Sequence, residues 1–215
     1  MSAPPPSPAP RYRIRTAERR PSPPARLAAA VRARLGPTSA AGRAARALLL
    51  AVLAWFTLRH LLDGDFRGIY AGLNLVLHEA GHLVFQYGGI AWLTAAGGTL
   101  FHLICIAGVG VAFWRQRDMF AVAVALWWAG TVFIEAAPYA ADARAQVLPL
   151  VTVGDGPVGH DWYAMLEPLG LLAFDEVIGA ALRLLGLATL LLALSAGAWM
   201  LRCMHRAART EPGDL

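Results

Sequence analysis

Two histidines with a glutamate between them, His78-Glu79-Ala80-Gly81-His82, stand inside an otherwise apolar run from Gly68 to Phe85. Residues four apart share one face of a helix, so both imidazoles can converge on one cation while Glu79 points beside it toward a bound water. Zinc suits such a site because it accepts imidazole nitrogens tetrahedrally. A catalytic site keeps one position open for water, whose pKa falls to about 7. Glu79 is then placed to accept the proton of that water as it attacks a carbonyl, and to return it to the leaving amine. Each ionisable group at mid-bilayer costs roughly 2.5 to 3.5 kcal/mol, so three together need a metal or a polar cavity between helices to compensate them.

Two histidines make an incomplete site, and three residues in the later connection are candidates for the missing ligand. His160 and Asp161 follow the turn-rich Gly154-Asp-Gly-Pro-Val-Gly159, which can carry a side chain back over the histidines. Asp161 reads equally as the N-cap of a short helix ending near Pro168, and His160 as a loop residue. Asp142 lies just after Pro138, where the pattern predicts that a helix breaks, and can be a ligand, a partner of a ligand or half of an ion pair with Arg144. Glu135, deeper in an apolar segment, is expected either to hydrogen-bond a metal-bound histidine or to stay protonated between helices. His102 reads as a histidine hydrogen-bonded to a neighbouring helix, and His60 and His205 as headgroup-facing residues. Gly68, Gly72 and Gly81 suit close helix packing.

The elements that must position these groups are membrane helices. Of the 215 residues, 57% are apolar and only 15% are charged, which argues against a soluble globule. Five apolar segments, at about 44 to 62, 67 to 87, 89 to 114, 119 to 137 and 177 to 201, each approach the ~20 residues needed to cross hydrocarbon. The expected fold is therefore all-α: a polytopic helical membrane domain over residues 43–215 with four to six membrane-embedded helices. The first segment is the weakest, interrupted at Arg59 and His60, and Gly97-Gly98 interrupts the third, so Gly89 to Gly98 is expected to be re-entrant or extended. Trp127 and Trp128 fall mid-segment and should pack inside the bundle, while Trp92, Trp114, Trp162 and Trp199 fit interfacial anchoring. Ahead of the domain, residues 1–42 hold nine of the fourteen prolines and read as a disordered basic tail, within which 26–35 suits a short arginine-faced helix on a membrane surface.

The net charge of +5 comes from arginine alone, ten of the nineteen within the first 46 residues. A basic tail beside apolar segments points to anionic membrane lipid as the partner and away from nucleic acid. The tail, the Arg115-Gln-Arg117 turn and the Arg202/Arg206/Arg209 end are all basic, so both termini are expected in the cytoplasm. That arrangement needs an even number of crossings, hence one of the first three segments should not span. Composition suggests a GC-rich bacterial genome, which makes the inner membrane the expected location. Cys105 and Cys203 support neither a disulfide framework nor a thiolate site, so the metal must take nitrogen and oxygen ligands.

The pattern Leu77-His78-Glu79-Ala80-Gly81-His82 on an apolar helix, followed by Gly88-Gly89 and Gly97-Gly98, resembles the intramembrane zinc metalloproteases of the site-2 protease type. The resemblance covers about thirty residues. It implies that His78 and His82 bind zinc, that Glu79 is the catalytic base, that a glycine-containing extended element follows and that an aspartate from a later helix completes the site. The nearest stretch to the family's later motif is Glu135-Ala-Ala-Pro138-Tyr-Ala-Ala-Asp142. HEAGH together with Ala-Asp-Ala-Arg, Leu-Pro-Leu and His-Asp-Trp is also similar to a group of small bacterial membrane proteins, which favours Asp142, His160 and Asp161 acting with the histidines. The expected function is zinc-dependent hydrolysis of a peptide bond in or near the membrane, on a peptide or membrane-protein substrate. The alternative is a non-catalytic membrane protein that senses, stores or passes a divalent cation.

Overall fold

The computed structural model describes residues 22–35, 38–149 and 159–210, and over these the chain is helical with no strand. Seven α-helices follow in order: α1 (Pro23–Arg32), α2 (Ala40–Leu62), α3 (Ala71–Phe85), α4 (Ala91–Arg115), α5 (Met119–Ala141), α6 (Asp161–Leu166) and α7 (Asp175–Thr210). Residues 1–21 of the tail expected to be disordered lie outside the described residues. The rest of that stretch holds α1, which starts on Pro23-Pro24, where a missing N–H costs nothing, and the first turn of α2.

α2, α4, α5 and α7 are long and apolar enough to cross a membrane. α3 is not. Its 15 residues rise about 22 Å, short of the ~30 Å hydrocarbon core. Among the first three apolar segments it is thus the one carrying the histidines that falls short, and the four that remain are even in number. The first segment is stronger than its sequence suggested. α2 runs unbroken through Arg59 and His60, with the Ser39 hydroxyl accepting from the Gly42 N–H at its start.

Two expected interruptions do not occur. Gly89 to Gly98 is neither re-entrant nor extended: the chain reverses at a 3-10 turn over Gln86–Gly88 and at Gly89, whose φ of 67° suits glycine, and α4 then continues through Gly97-Gly98. Pro138 does not end α5 either, since the helix carries on for almost one turn to Ala141. Proline removes one backbone bond, but flanking residues still packed against α7 hold the last turn in place. Gly68 and Gly72 do not mark a helix crossing: a Cβ on Gly72 would meet nothing within 4 Å, and one on Gly68 would run first into the ring of Tyr70, two residues on.

α5 lies at the centre, packed along α7 on one side and α4 on the other, with α3 against α4 and α2 against α7. Small residues set the α5–α7 distance: a Cβ on Gly130 would fall 2.8 Å from Leu190, and one on Gly179 would fall 2.6 Å from the Ala137 carbonyl. Trp127 is buried at this crossing, as expected from its position, and donates from Nε1 to Thr57 Oγ1 at 2.9 Å.

The basic ends meet at one pole of the bundle. Arg46 pairs with Asp118 at 3.3 Å, Arg34 lies 4.4 Å over Trp114, and Arg32 lies 5.8 Å over Trp199. The start of α2, the α4–α5 turn and the end of α7 therefore share one end, while the last turn of α5 and α6 lie toward the other.

Candidate metal centre

α3 presents Asn74, His78 and His82 on one face, at successive intervals of four residues. Its approach to α4 is set by glycines on both helices. A Cβ on Gly81 would lie 2.3 Å from the Gly97 carbonyl oxygen, and one on Gly98 would lie 2.6 Å from the His78 ring. Gly98 thus makes room for the imidazole, and Gly97 for Phe85 and the α3 backbone at Gly81. Gly98→Ala should force that ring aside, lowering stability by about 1 to 3 kcal/mol and weakening metal binding with it. Thermal unfolding together with competition against a chromogenic chelator reads both effects, and unchanged metal affinity would count against the packing argument.

His82 is oriented by α4: its Nδ1 donates to the Thr94 carbonyl at 2.8 Å, so Nε2 carries the lone pair. That Nε2 lies 3.1 Å from Nε2 of His78. Asp161, the first residue of α6, sets Oδ2 at 3.1 Å from His78 Nε2 and 3.2 Å from His82 Nε2. Three donor atoms thus form a nearly equilateral triangle. A proton on one of them satisfies one edge and leaves another unmet, whereas a cation at the centre satisfies all three. For ligands ~2.0 to 2.1 Å from zinc, the edge of a tetrahedron is about 3.3 Å, close to the spacing here. The donor set, two imidazoles and a carboxylate, also fits zinc in kind. Glu79 belongs to the same group, with the candidate donor atoms of His78, Glu79 and His82 all within 4.8 Å of one another.

α6 is held over the histidines by several contacts. Trp92 Nε1 donates to the Met165 carbonyl at 3.1 Å, Met165 packs against Ala95 and Ala96, and the Asp161 N–H donates to the Tyr139 hydroxyl at 3.1 Å. Burial works to raise the Asp161 pKa, but hydrogen bonding to His78 and His82 outweighs it and holds the carboxyl below its usual range. It is an anion at neutral pH.

His160 and Asp142 are not brought to the histidine pair. His160 is the N-cap of α6, the role the sequence offered to Asp161, and its Nδ1 accepts from the Tyr163 N–H at 3.2 Å. Its Nε2 faces away, 3.5 Å from Asp142 Oδ2, and its ring lies tilted by 37° against Tyr139 with centroids 4.2 Å apart. Asp142 in turn accepts from the N–H groups of Val147 and Leu148, each at 3.0 Å. Burial works to raise its pKa, but those two amides and His160 together hold it low. These two buried residues therefore fasten the chain on either side of the α5–α6 connection, and Asp161 alone of the three candidates reaches the histidines. Arg144 pairs with Asp175 and Glu176, not with Asp142.

Glu135 does not reach a histidine. Its Oε2 accepts from Asn74 Nδ2 at 2.8 Å, and Asn74 Oδ1 accepts from Trp128 Nε1 at 2.7 Å. His102 is buried edge-on to Trp128, and its Nε2 has no hydrogen-bond partner among the described residues. His60 is buried against Tyr70 and Phe66 instead of facing headgroups, with its Nε2 hydrogen-bonded to the Tyr70 hydroxyl. Three contributors were missed: Asn74, Tyr139 and the Thr94 carbonyl. Asn74 carried a signal, one turn before His78 on the same face. Tyr139 carried a weaker one, three residues before Asp142, and a backbone carbonyl carries none.

His78, Glu79, His82 and Asp161 open onto a cavity of about 980 Å³ that extends past Glu135 and His102 toward Arg67. This is the size of a small-molecule or short-peptide site. Three converging donor atoms with a carboxylate beside them, facing a cavity, are an arrangement that could hold a divalent cation. Comparison with protein-family profiles, curated proteins and solved structures finds no match for this chain.

Proposed function

We propose that this chain is a zinc-dependent, membrane-embedded metallopeptidase. The observation that carries the reading is the triangle of His78, His82 and Asp161 with Glu79 beside it, facing a cavity. The resemblance of the HEAGH helix to site-2-type proteases agrees with it. Zinc at the three donors would supply Lewis acidity and lower the pKa of a water to about 7. Glu79 takes the proton from that water and delivers it to the leaving amine. Asp161 keeps both imidazoles aimed at one point, and the Thr94 carbonyl fixes the tautomer of His82. The basic pole, with the start of α2 and the end of α7, lies in the cytoplasm of a bacterial inner membrane, its arginines against anionic lipid.

A second reading rests on the closeness of Glu79 to both histidines: as a fourth ligand it would close the site, giving a protein that stores or passes a divalent cation. Metal removal tests the first reading. Detergent-solubilised protein should cleave an apolar fluorogenic peptide, lose the activity to 1,10-phenanthroline and regain it with added zinc. Bound zinc without turnover on a broad peptide library would favour the second.

A further inference from the structure

α5 turns Val132, Glu135, Ala136 and Tyr139 toward the cavity, the three- and four-residue spacing of one helix face. Tyr139, in the last turn, is only partly buried, and its hydroxyl accepts the Asp161 N–H at 3.1 Å. Because that N–H and the carboxylate that completes the triangle belong to one residue, the hydroxyl stands beside the triangle. Its ring lies against His160 with centroids 4.2 Å apart, so both ends of the side chain are fixed. Accepting from Asp161 uses a lone pair and leaves the hydroxyl hydrogen free, and that hydrogen has no acceptor among the described residues. Thr94 and Asn74 face the same cavity but spend their donors inside the protein, on the Ile90 carbonyl at 3.2 Å and on Glu135 and Thr131 at 2.8 and 3.2 Å.

We propose that Tyr139 is a catalytic residue of the peptidase reaction, its O–H donating to the scissile carbonyl oxygen as that oxygen becomes negative. When water adds to the carbonyl carbon, the π pair of the C=O bond moves onto oxygen and Glu79 takes the proton of the water. The hydrogen bond from Tyr139 strengthens as the charge grows, and the phenol keeps its own proton throughout. A donor already held by His160 and the Asp161 amide needs no reorganisation at that moment. As a catalytic role it rests on the peptidase reading, but donation to an anionic oxygen can be measured without turnover.

The test uses two apolar hexapeptide analogues on the zinc-loaded full chain in maltoside micelles, with affinities read by isothermal titration. In one, a phosphinic group replaces the scissile amide and mimics the charged tetrahedral oxygen. The other binds metal through a thiol and offers no oxygen there. Tyr139→Phe should weaken the phosphinic peptide by about tenfold or more, the loss of one hydrogen bond to a charged group, and leave the thiol peptide within about twofold. Turnover of a fluorogenic peptide should fall by about 10² with KM unchanged. Wild type alone gives a second reading that needs no variant to fold. On binding the phosphinic peptide, and not the thiol peptide, its tyrosine ultraviolet spectrum should shift to longer wavelength, as a phenol does on gaining an acceptor. Equal losses for both peptides would reduce Tyr139 to a positioning residue for Asp161 and overturn the donor. Unchanged affinities, no binding of the phosphinic peptide or no spectral shift would overturn it as well. A loss specific to the phosphinic peptide in a chain that hydrolyses no peptide would leave the donor standing and remove the peptidase reading. Turnover untouched by Tyr139→Phe would do the reverse.

Discussion

Glu79→Gln should retain zinc and lose hydrolysis, with turnover falling by about 10² to 10⁴ or more. Glutamine has the shape of glutamate but cannot take a proton, so it removes the base and leaves the triangle of His78, His82 and Asp161 intact. Zinc content and peptide turnover measured on the same preparation separate the two readings of the site. If Glu79 were a ligand, the variant would lose metal affinity together with any function. A zinc-loaded variant with no hydrolysis supports the base role, and a zinc-depleted variant contradicts it.

Removing a donor should have the larger effect on metal. His78→Ala and Asp161→Ala each leave two donors of three, and zinc affinity should fall by a hundredfold or more, beyond the roughly 10- to 100-fold typical of losing an outer hydrogen-bond partner. His160→Ala is the informative contrast. His160 lies against Asp142 and Tyr139 and reaches the site only by capping the helix that carries Asp161. It should weaken zinc binding less than either donor substitution, and Asp142→Ala should do the same. Isothermal titration with zinc reads all four. Equal losses at His160 and Asp161 would mean that the α6 geometry is wrong.

The helical class and the HExxH face were legible because they rest on period and composition, which are local properties. The four helices long and apolar enough to cross a membrane emerge from the same apolar runs, and His78 and His82 fall on one face by spacing alone. The third donor was harder. His160, Asp161 and Asp142 were all plausible, since the choice depends on how α6 packs on α4, through Trp92 and Met165, and on which neighbour caps that helix. Glycine misled in the opposite direction. Gly97-Gly98 reads as a break from propensity, yet α4 runs through it because the missing side chains let α3 and the His78 ring approach. Pro138 misled similarly, since tertiary packing on α7 holds the last turn of α5. The partnerless Glu135 oxygen and His102 nitrogen could not be foreseen, because whether a buried polar atom finds a partner is decided across helices.

The central claim is that one cation is held jointly by His78, His82 and Asp161. Zinc K-edge absorption on the purified, zinc-loaded chain tests it most directly, in wild type and in Asp161→Ala. Wild type should show two imidazole nitrogens and light oxygen ligands at about 2.0 to 2.2 Å, and the alanine variant should lose zinc or exchange the carboxylate oxygen for solvent. A folded wild-type chain that takes up no zinc, or a spectrum without imidazole scattering, would contradict the account.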